Sequence, residues 1–286
     1  MSDSAVLLID CPDRRGLIAR VSTLLFEHGA NILHADQHRD ELLNLFFMRV
    51  EFALDAEGFA ERLNDIRRAF APVAAELEMH WSLASNADRP RVALFCSRYL
   101  HCISDLLQRW FTGELRCDIP LIVSNHGNAE LLAQFYGIPF EHVPVTADTR
   151  AEAEARQLEL LAQHDIDLVV LARYMQILSP QFVAGYPSAM INVHHSFLPA
   201  FTGARPYHAA HGRGVKLIGA TSHYVTEVLD DGPIIEQNVI RISHRDQVED
   251  LIAKGRDLER MVLFRAVKWH LESRILRYQN KTVVFD

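Results

Sequence analysis

Five consecutive residues, Leu168-Val169-Val170-Leu171-Ala172, are apolar without a break. A strand with one wet face alternates, because successive side chains point to opposite sides. A run with no polar member predicts a strand buried on both faces, and such strands belong to parallel sheets covered by helices above and below. The neighbouring pattern agrees. Segments 92–96, 121–124 and 189–193 also read as strands, and helices are expected at about 101–112, up to 135 and at 151–163. Segments 215–225 and 234–242 read as a strand pair joined by a turn, 248–271 as a long helix and 282–285 as a last strand. Alternating strands and helices predict an α/β fold with a doubly wound, mostly parallel sheet.

The first 84 residues follow another order. Segment 5–9 is an apolar strand, and Asp13 after it is placed to cap a helix start. Leu17, Ile18, Val21, Leu24, Leu25 and His28 keep helical spacing, with Gly29 as a stop signal. Segments 31–38 and 42–54 read as strands around the polar Arg39-Asp40-Glu41 turn. Phe59, Leu63, Ile66 and Phe70 share one helix face, and 76–83 reads as a closing strand. The order βαββαβ is the ferredoxin-like split pattern. A polar stretch ending in Asp88-Arg89-Pro90 marks a boundary, which divides the chain into a module over 1–84, a linker over 85–90 and a larger domain over 91–286.

Composition narrows the function classes. The formal charge of −8 offers no basic footprint for nucleic acid. No run of 18 apolar residues exists, so no membrane span is expected, and the start lacks the pattern of a secretory leader. Cys11, Cys96, Cys102 and Cys117 show no C-x-x-C spacing and read as reduced thiols of a cytoplasmic protein.

Chemistry concentrates where strand 189–193 ends, in Asn192-Val193-His194-His195-Ser196-Phe197-Leu198-Pro199. In open α/β sheets, ligands bind just beyond the carboxyl ends of strands. Asn192 and His194, two apart on an extended segment, point to one side and make a donor pair suited to a developing oxyanion. A second string, ending Leu229-Asp230-Asp231-Gly232-Pro233, puts two carboxylates in a turn. Each string alone is also ordinary turn chemistry. A zinc set of His194, His195, His223 and Asp230 is the metal alternative. Adjacent strand residues face opposite sides, which makes His194 and His195 poor co-ligands, so no metal is expected. His101 and His126 both follow strands and are candidates to line the cleft, and whether Asp231 shares work with Asp230 stays open.

On these strings the chain from about Arg91 resembles the folate-dependent formyltransferases. The resemblance implies a catalytic trio of Asn192, His194 and Asp230. The run Leu171 to Pro180 resembles the family's folate pocket, which implies that Met175, Gln176, Ile177 and Leu178, with Val225, hold the pterin of 10-formyltetrahydrofolate. The double histidine His194-His195 and the segment Gly203-Ala204-Arg205-Pro206-Tyr207-His208 fit the hydrolytic branch of that family, which releases formate. Transferases acting on a phosphorylated ribonucleotide carry a glycine-rich loop after the first strand of the fold. Here Cys96-Ser97-Arg98-Tyr99-Leu100-His101-Cys102 has no glycine, and bulky side chains hinder a close phosphate approach. Water is then the expected formyl acceptor: Asp230 orients it and takes its proton, and Asn192 and His194 hold the oxyanion. No cofactor is expected beyond the folate substrate.

Pro12-Asp13-Arg14 with Gly16-Leu17 resembles the first turn of ACT domains. It implies an amino-acid effector site at Asp13, Gly16 and Leu17, for glycine, methionine or a similar ligand, and a homo-oligomer formed through these domains. Helix N-termini suit a ligand carboxylate. Two other functions stay open on the sequence: formyl transfer to an amine, and an amino-acid-sensing regulator that keeps an inactive enzyme fold.

Overall fold

The computed structural model describes residues 3–55, 57–186, 189–199 and 206–286. Two compact units divide them: one of residues up to Asp88 with Glu272–Tyr278 and Thr282–Asp286, the other of Arg89–Leu271 with Gln279–Lys281.

The first unit contains β1 (Ser4–Pro12), α1 (Leu17–Glu27), β2 (Asn31–Asp40), β3 (Leu45–Ala53), α2 (Phe59–Glu76) and β4 (His80–Ser85). Its sheet is antiparallel in the order β2-β3-β1-β4. One face packs on the two helices through Leu7, Ile9, Val21, Leu25, Ile66 and Phe70. The other meets a C-terminal hairpin, β12 (Ile275–Tyr278) and β13 (Lys281–Val284). There Val6, Leu8 and Phe47 pack against Leu276 and Phe285, with the Phe47 and Tyr278 rings 4.6 Å apart. Burial on both faces explains the unbroken apolar run Ala5 to Ile9. Arg49, itself buried, donates from Nε to the Ser273 carbonyl at 3.0 Å.

Two local expectations are corrected. Asp13 does not cap α1: its carboxylate meets Arg39 Nε at 2.6 Å, and the capping position falls to Gly16 at φ 90°, with no side-chain hydrogen bond. A left-handed residue is easiest without a Cβ. α2 runs on to Glu76 through Pro72, so β4 begins only at His80.

The second unit contains β5 (Arg91–Cys96), α3 (His101–Phe111), β6 (Asp118–Ser124), α4 (Glu130–Tyr136), β7 (Phe140–His142), α5 (Arg150–Gln163), β8 (Leu168–Ala172), α6 (Pro180–Gly185), β9 (Ala189–His194), α7 (Pro206–Arg213), β10 (Leu217–Tyr224), β11 (Ile234–Arg241) and α8 (Val248–Leu271). Its seven-stranded sheet runs β11-β10-β9-β8-β5-β6-β7. The ladders from β9 to β7 are parallel, and β10 and β11 add antiparallel. The expected all-apolar strand lies near the middle, buried at every position. The order reverses between β8 and β5, which places a switch point beside the carboxyl end of β8.

Candidate functional site

A cavity of about 430 Å³ opens at the carboxyl ends of β8 and β9. β9 brings Asn192 and His194 to the same side of the strand, and both line the cavity. β10 pairs antiparallel with β9 and sets His223 directly opposite Asn192. A register shift in β10 between Ser222 and His223 marks a bulge, which re-aims side chains locally. Beyond β10 the chain turns through Asp230, whose φ of 54° is one that Asp tolerates better than most residues. Gly232 is fixed by space: a Cβ there would lie 1.7 Å from the Tyr224 carbonyl oxygen.

These elements bring the three expected polar residues together. Asp230 Oδ2 lies 3.2 Å from His194 Nδ1, and Asp230 Oδ1 lies 3.7 Å from His223 Nε2. His223 Nδ1 sits 2.9 Å from the Tyr224 carbonyl. A carbonyl only accepts, so the proton is on Nδ1. Burial pushes the His223 ring towards its neutral form, leaving Nε2 to accept from Asn192 Nδ2 at 3.2 Å. The Asn192 amide is thereby oriented, with its second hydrogen still to give. The Asp230 carboxyl is held below the ordinary carboxylate range, chiefly by the hydrogen bond from His194, against the opposing effect of burial. His194 Nε2, at the far side of the ring from Asp230, is buried with no hydrogen-bond partner among the described residues.

Met175, Gln176, Ile177, Leu178 and Val225 all stand in the cavity wall. Their loop is pinned along its length. Ser97 Oγ accepts from Met175 N at 3.0 Å and donates to Asn125 Oδ1 at 2.6 Å. Arg150 donates to the Ile177 carbonyl, Glu154 accepts from Ser179 N at 2.9 Å, and Ser179 caps α6. Beneath it the buried Tyr174 accepts from Gln157 at 2.8 Å and meets Phe95 edge-on. The rim of this wall keeps apolar surface: Met175 is 44% exposed and Ile177 57%. The loop after β9 is clamped by Thr221, which donates to the Ser196 carbonyl at 2.9 Å and accepts from Leu198 N at 3.1 Å.

Other expectations are corrected. His195 lines the same cavity as His194, their rings 5.1 Å apart, because β9 ends at His194 and strand alternation no longer applies to the next residue. His101 and His126 do not line it: His101 Nε2 donates to buried Glu259 at 2.6 Å, and His126 accepts from Arg98 at 3.2 Å. Asp231 is exposed and is not among the residues that line the cavity, and its backbone carbonyl accepts from Asn280 at 2.8 Å. The segment Gly203-Ala204-Arg205 lies outside the described residues, while Tyr207 and His208 fall on α7. His101, Cys102 and Glu259 are the one group of three such donor residues clustered within 4.8 Å among the described residues. Glu259 is already taken by His101 and Tyr207, burial holds the Cys102 thiol well up, and Arg173 lies 3.4 Å from Glu259, so a cation is disfavoured there. The reading of the sequence missed His223 as the partner of Asn192. Its register opposite Asn192 was the signal, once the two strands were known to pair.

Comparison with known proteins decides the lineage. The Formyl transferase family matches residues 90–267 and the ACT domain family residues 5–68. Formyltetrahydrofolate deformylase of Bacillus subtilis is 52% identical over 285 residues, covering 99% of this chain and 94% of the relative. The chain belongs to the formyltetrahydrofolate deformylase family. The crystal structure of a formyltetrahydrofolate deformylase from Pseudomonas syringae superposes with a TM-score of 0.93 at 48% identity, covering all of this chain and 95% of that one. A glycinamide ribonucleotide transformylase from Symbiobacterium toebii matches 71% of this chain and 97% of its own, with a TM-score of 0.66 and 26% identity. The deformylase family therefore shares its larger domain with the transformylases, and this chain carries the ACT module as well. As a member, it is an enzyme of the hydrolase class. No helix among the described residues is long and apolar enough to cross a membrane.

Proposed function

We propose that the protein hydrolyses 10-formyltetrahydrofolate to tetrahydrofolate and formate, with Asn192, His194 and Asp230 doing the chemistry. The observation that carries this reading is the His194 ring. Its Nδ1 is tied to Asp230 at 3.2 Å, and its buried Nε2 meets no partner among the described residues. Leaving a buried nitrogen unbonded costs about 1–3 kcal/mol, which a substrate oxygen arriving there would recover. The pterin lies along Met175, Gln176, Ile177 and Leu178, with Val225 on the other side, and the formyl group reaches Asn192 and His194. Asp230 Oδ1, 3.7 Å from His223, takes a hydrogen bond from a water. That water adds to the formyl carbon as its proton passes to Asp230. The carbonyl oxygen becomes an oxyanion held by the free Asn192 hydrogen and by His194 Nε2–H. One such donor is worth about 3–4 kcal/mol of barrier. The C–N10 bond then breaks, N10 receives the proton, and formate leaves. No metal or resident cofactor enters this scheme.

Transfer to an amine is the competing use of the same residues. The Ser97–Cys102 region favours water: Ser97 is occupied by Asn125 and Met175, and His101 by Glu259. Purified protein incubated with 10-formyltetrahydrofolate alone should release formate. Release only when an amine is added would overturn the hydrolytic reading, and none at all would favour a regulator with an inactive fold.

The ACT module works, on this reading, as an effector-binding and oligomerising device in the cytoplasm. Asp13 being engaged by Arg39, the α1 N-terminus at Gly16 and Leu17 keeps no side-chain cap and suits the carboxylate of glycine or methionine. β2, an edge strand exposed along most of its length, offers a second copy its unpaired backbone. Calorimetry with these amino acids, and the mass of the protein in solution, test the two roles.

A further inference from the structure

Arg173 is the first residue past the all-apolar β8, and a left-handed φ of 61° ends the strand there. It is only 9% exposed, yet it lines the same cavity as Asn192, His194 and Asp230. Its Nε lies 3.4 Å from Glu259 Oε2, too poorly aligned to bond, and both Nε and Nη1 are buried with no hydrogen-bond partner among the described residues. The Glu259 oxygens are spent elsewhere: Oε2 takes His101 Nε2 at 2.6 Å and Oε1 takes the Tyr207 hydroxyl at 2.7 Å. Gly255 of α8 makes this arrangement sterically feasible, since a Cβ there would meet the Tyr207 hydroxyl at 2.1 Å. Glu259 thus faces the Nε side of Arg173 as an ion partner, while Nη1, on the other edge of the guanidinium, is left without an acceptor among the described residues. Tyr99 covers it on one side, its ring 5.4 Å from the guanidinium carbon. Buried charged donors left without acceptors are costly, and a planar guanidinium matches one kind of guest above others, a carboxylate gripped by two parallel hydrogen bonds.

Resting on the hydrolytic reading, the reaction makes such a guest inside this cavity. Water's oxygen bonds to the formyl carbon, the C–N10 bond breaks, one water proton ends on N10, and the formic acid left behind ionises to formate. The new anion then shares the cavity with the Asp230 carboxylate, which repels it. We propose that Arg173 forms a formate subsite, taking the product carboxylate on its Nη1–Nη2 edge, of which Nη1 is the buried donor without a partner among the described residues, and drawing it away from Asp230. The substrate's own glutamyl carboxylates are the other source of the same chemistry, but Arg173 is buried at the strand end and not at the exposed rim formed by Met175 and Ile177.

The test uses the full-length protein without folate. ¹³C-formate is titrated and followed by NMR in the wild type, Arg173→Met and Arg173→Lys, with a melting curve for each. The expected result is saturable binding to the wild type, weakening by at least tenfold in Arg173→Met and by less in Arg173→Lys, which keeps the charge without the fork. Formate should also inhibit wild-type turnover and spare the Met variant. A Met variant that melts like the wild type and binds formate equally well overturns the proposal. If that variant does not fold, ¹⁵N-arginine labelling of the wild type decides: formate must shift one buried guanidinium Nε–H signal, and no shift is a refutation. Binding of tetrahydropteroate, which lacks the glutamate, separates the two sources. If deleting the glutamate weakens binding to the wild type and not to Arg173→Met, the tail is the guest and the formate subsite falls. Formate binding is read without turnover, so its failure in a protein that still hydrolyses 10-formyltetrahydrofolate sinks this proposal alone. A protein that binds formate but never releases it from the folate sinks the hydrolytic reading instead.

Discussion

Gly232→Ala probes how closely the site depends on one atom's width of space. A methyl at this position would lie 1.7 Å from the Tyr224 carbonyl oxygen and 2.9 Å from its carbon, both backbone atoms of the β10 end. Ordinary contact needs about 3.5 Å, so the turn must retreat by nearly 2 Å or β10 must deform. Asp230 is two residues upstream in the same turn, and its Oδ2 stands 3.2 Å from His194 Nδ1, already at the outer edge of a hydrogen bond. A retreat of half that size breaks the contact. Misplacing a reacting group by about 1 Å costs roughly a hundredfold in rate, so kcat for formate release should fall by about that factor. Overpacking should lower stability by about 1–3 kcal/mol, visible as a lower Tm in a protein that still folds. Folate affinity, measured by fluorescence quenching, should hold, because the loop from Met175 to Leu178 is pinned by Ser97, Arg150 and Glu154 instead. Gly212→Ala, where a Cβ meets nothing within 4 Å, is the matched control and should be silent. A Gly232→Ala enzyme turning over within threefold of wild type would refute the link between this turn and catalysis.

Asp230→Asn should keep folding and folate binding while losing about 10²–10⁴-fold in kcat, the range for a general base. Because His194 holds the Asp230 carboxyl down, the wild-type carboxylate persists as pH falls through the ordinary value of about 3.9, and a kcat–pH profile should show no acid limb from it above that point. The His195 ring is pushed down to about 4, first by burial and then by Arg173. An unfolded imidazole titrates near 6.5, so the unfolded chain binds more protons between about 4 and about 6.5, and stability must fall as pH drops across that window. His195→Gln should flatten the Tm–pH curve there. Glu259→Gln leaves Arg173 uncompensated in a buried place and should cost about 3–5 kcal/mol by urea unfolding, far more than substitution of an exposed carboxylate such as Asp55.

What could be read from the sequence was whatever depends on period and spacing. The apolar run Leu168 to Ala172 gave the central strand, and Asn192 with His194 gave a same-side pair, because alternation along a strand is local geometry. The turn at Asp230 was legible from its Asp-Gly-Pro chemistry. Contacts between strands were not. His223 became the partner of Asn192 only through the β9–β10 register, and Arg173 turned inward through a single left-handed φ that nothing in a charged residue announces. The Asp13 cap failed for a similar reason: an arginine from β2, distant in sequence, took the carboxylate first. His195 escaped the alternation rule because the strand stopped one residue before it.

The strand β1 has no dry side to spare: Leu7 and Ile9 face helices, while Val6 and Leu8 face the last turn of chain, Leu276 to Phe285. The N-terminal unit is thus stitched from both ends of the polypeptide. An expression fragment stopped at Asp88 would carry all six elements of the βαββαβ pattern and still leave Val6, Leu8 and Phe47 bare. Such a piece should clump on purification, and grafting residues 272–286 back through a flexible tether should keep it in solution.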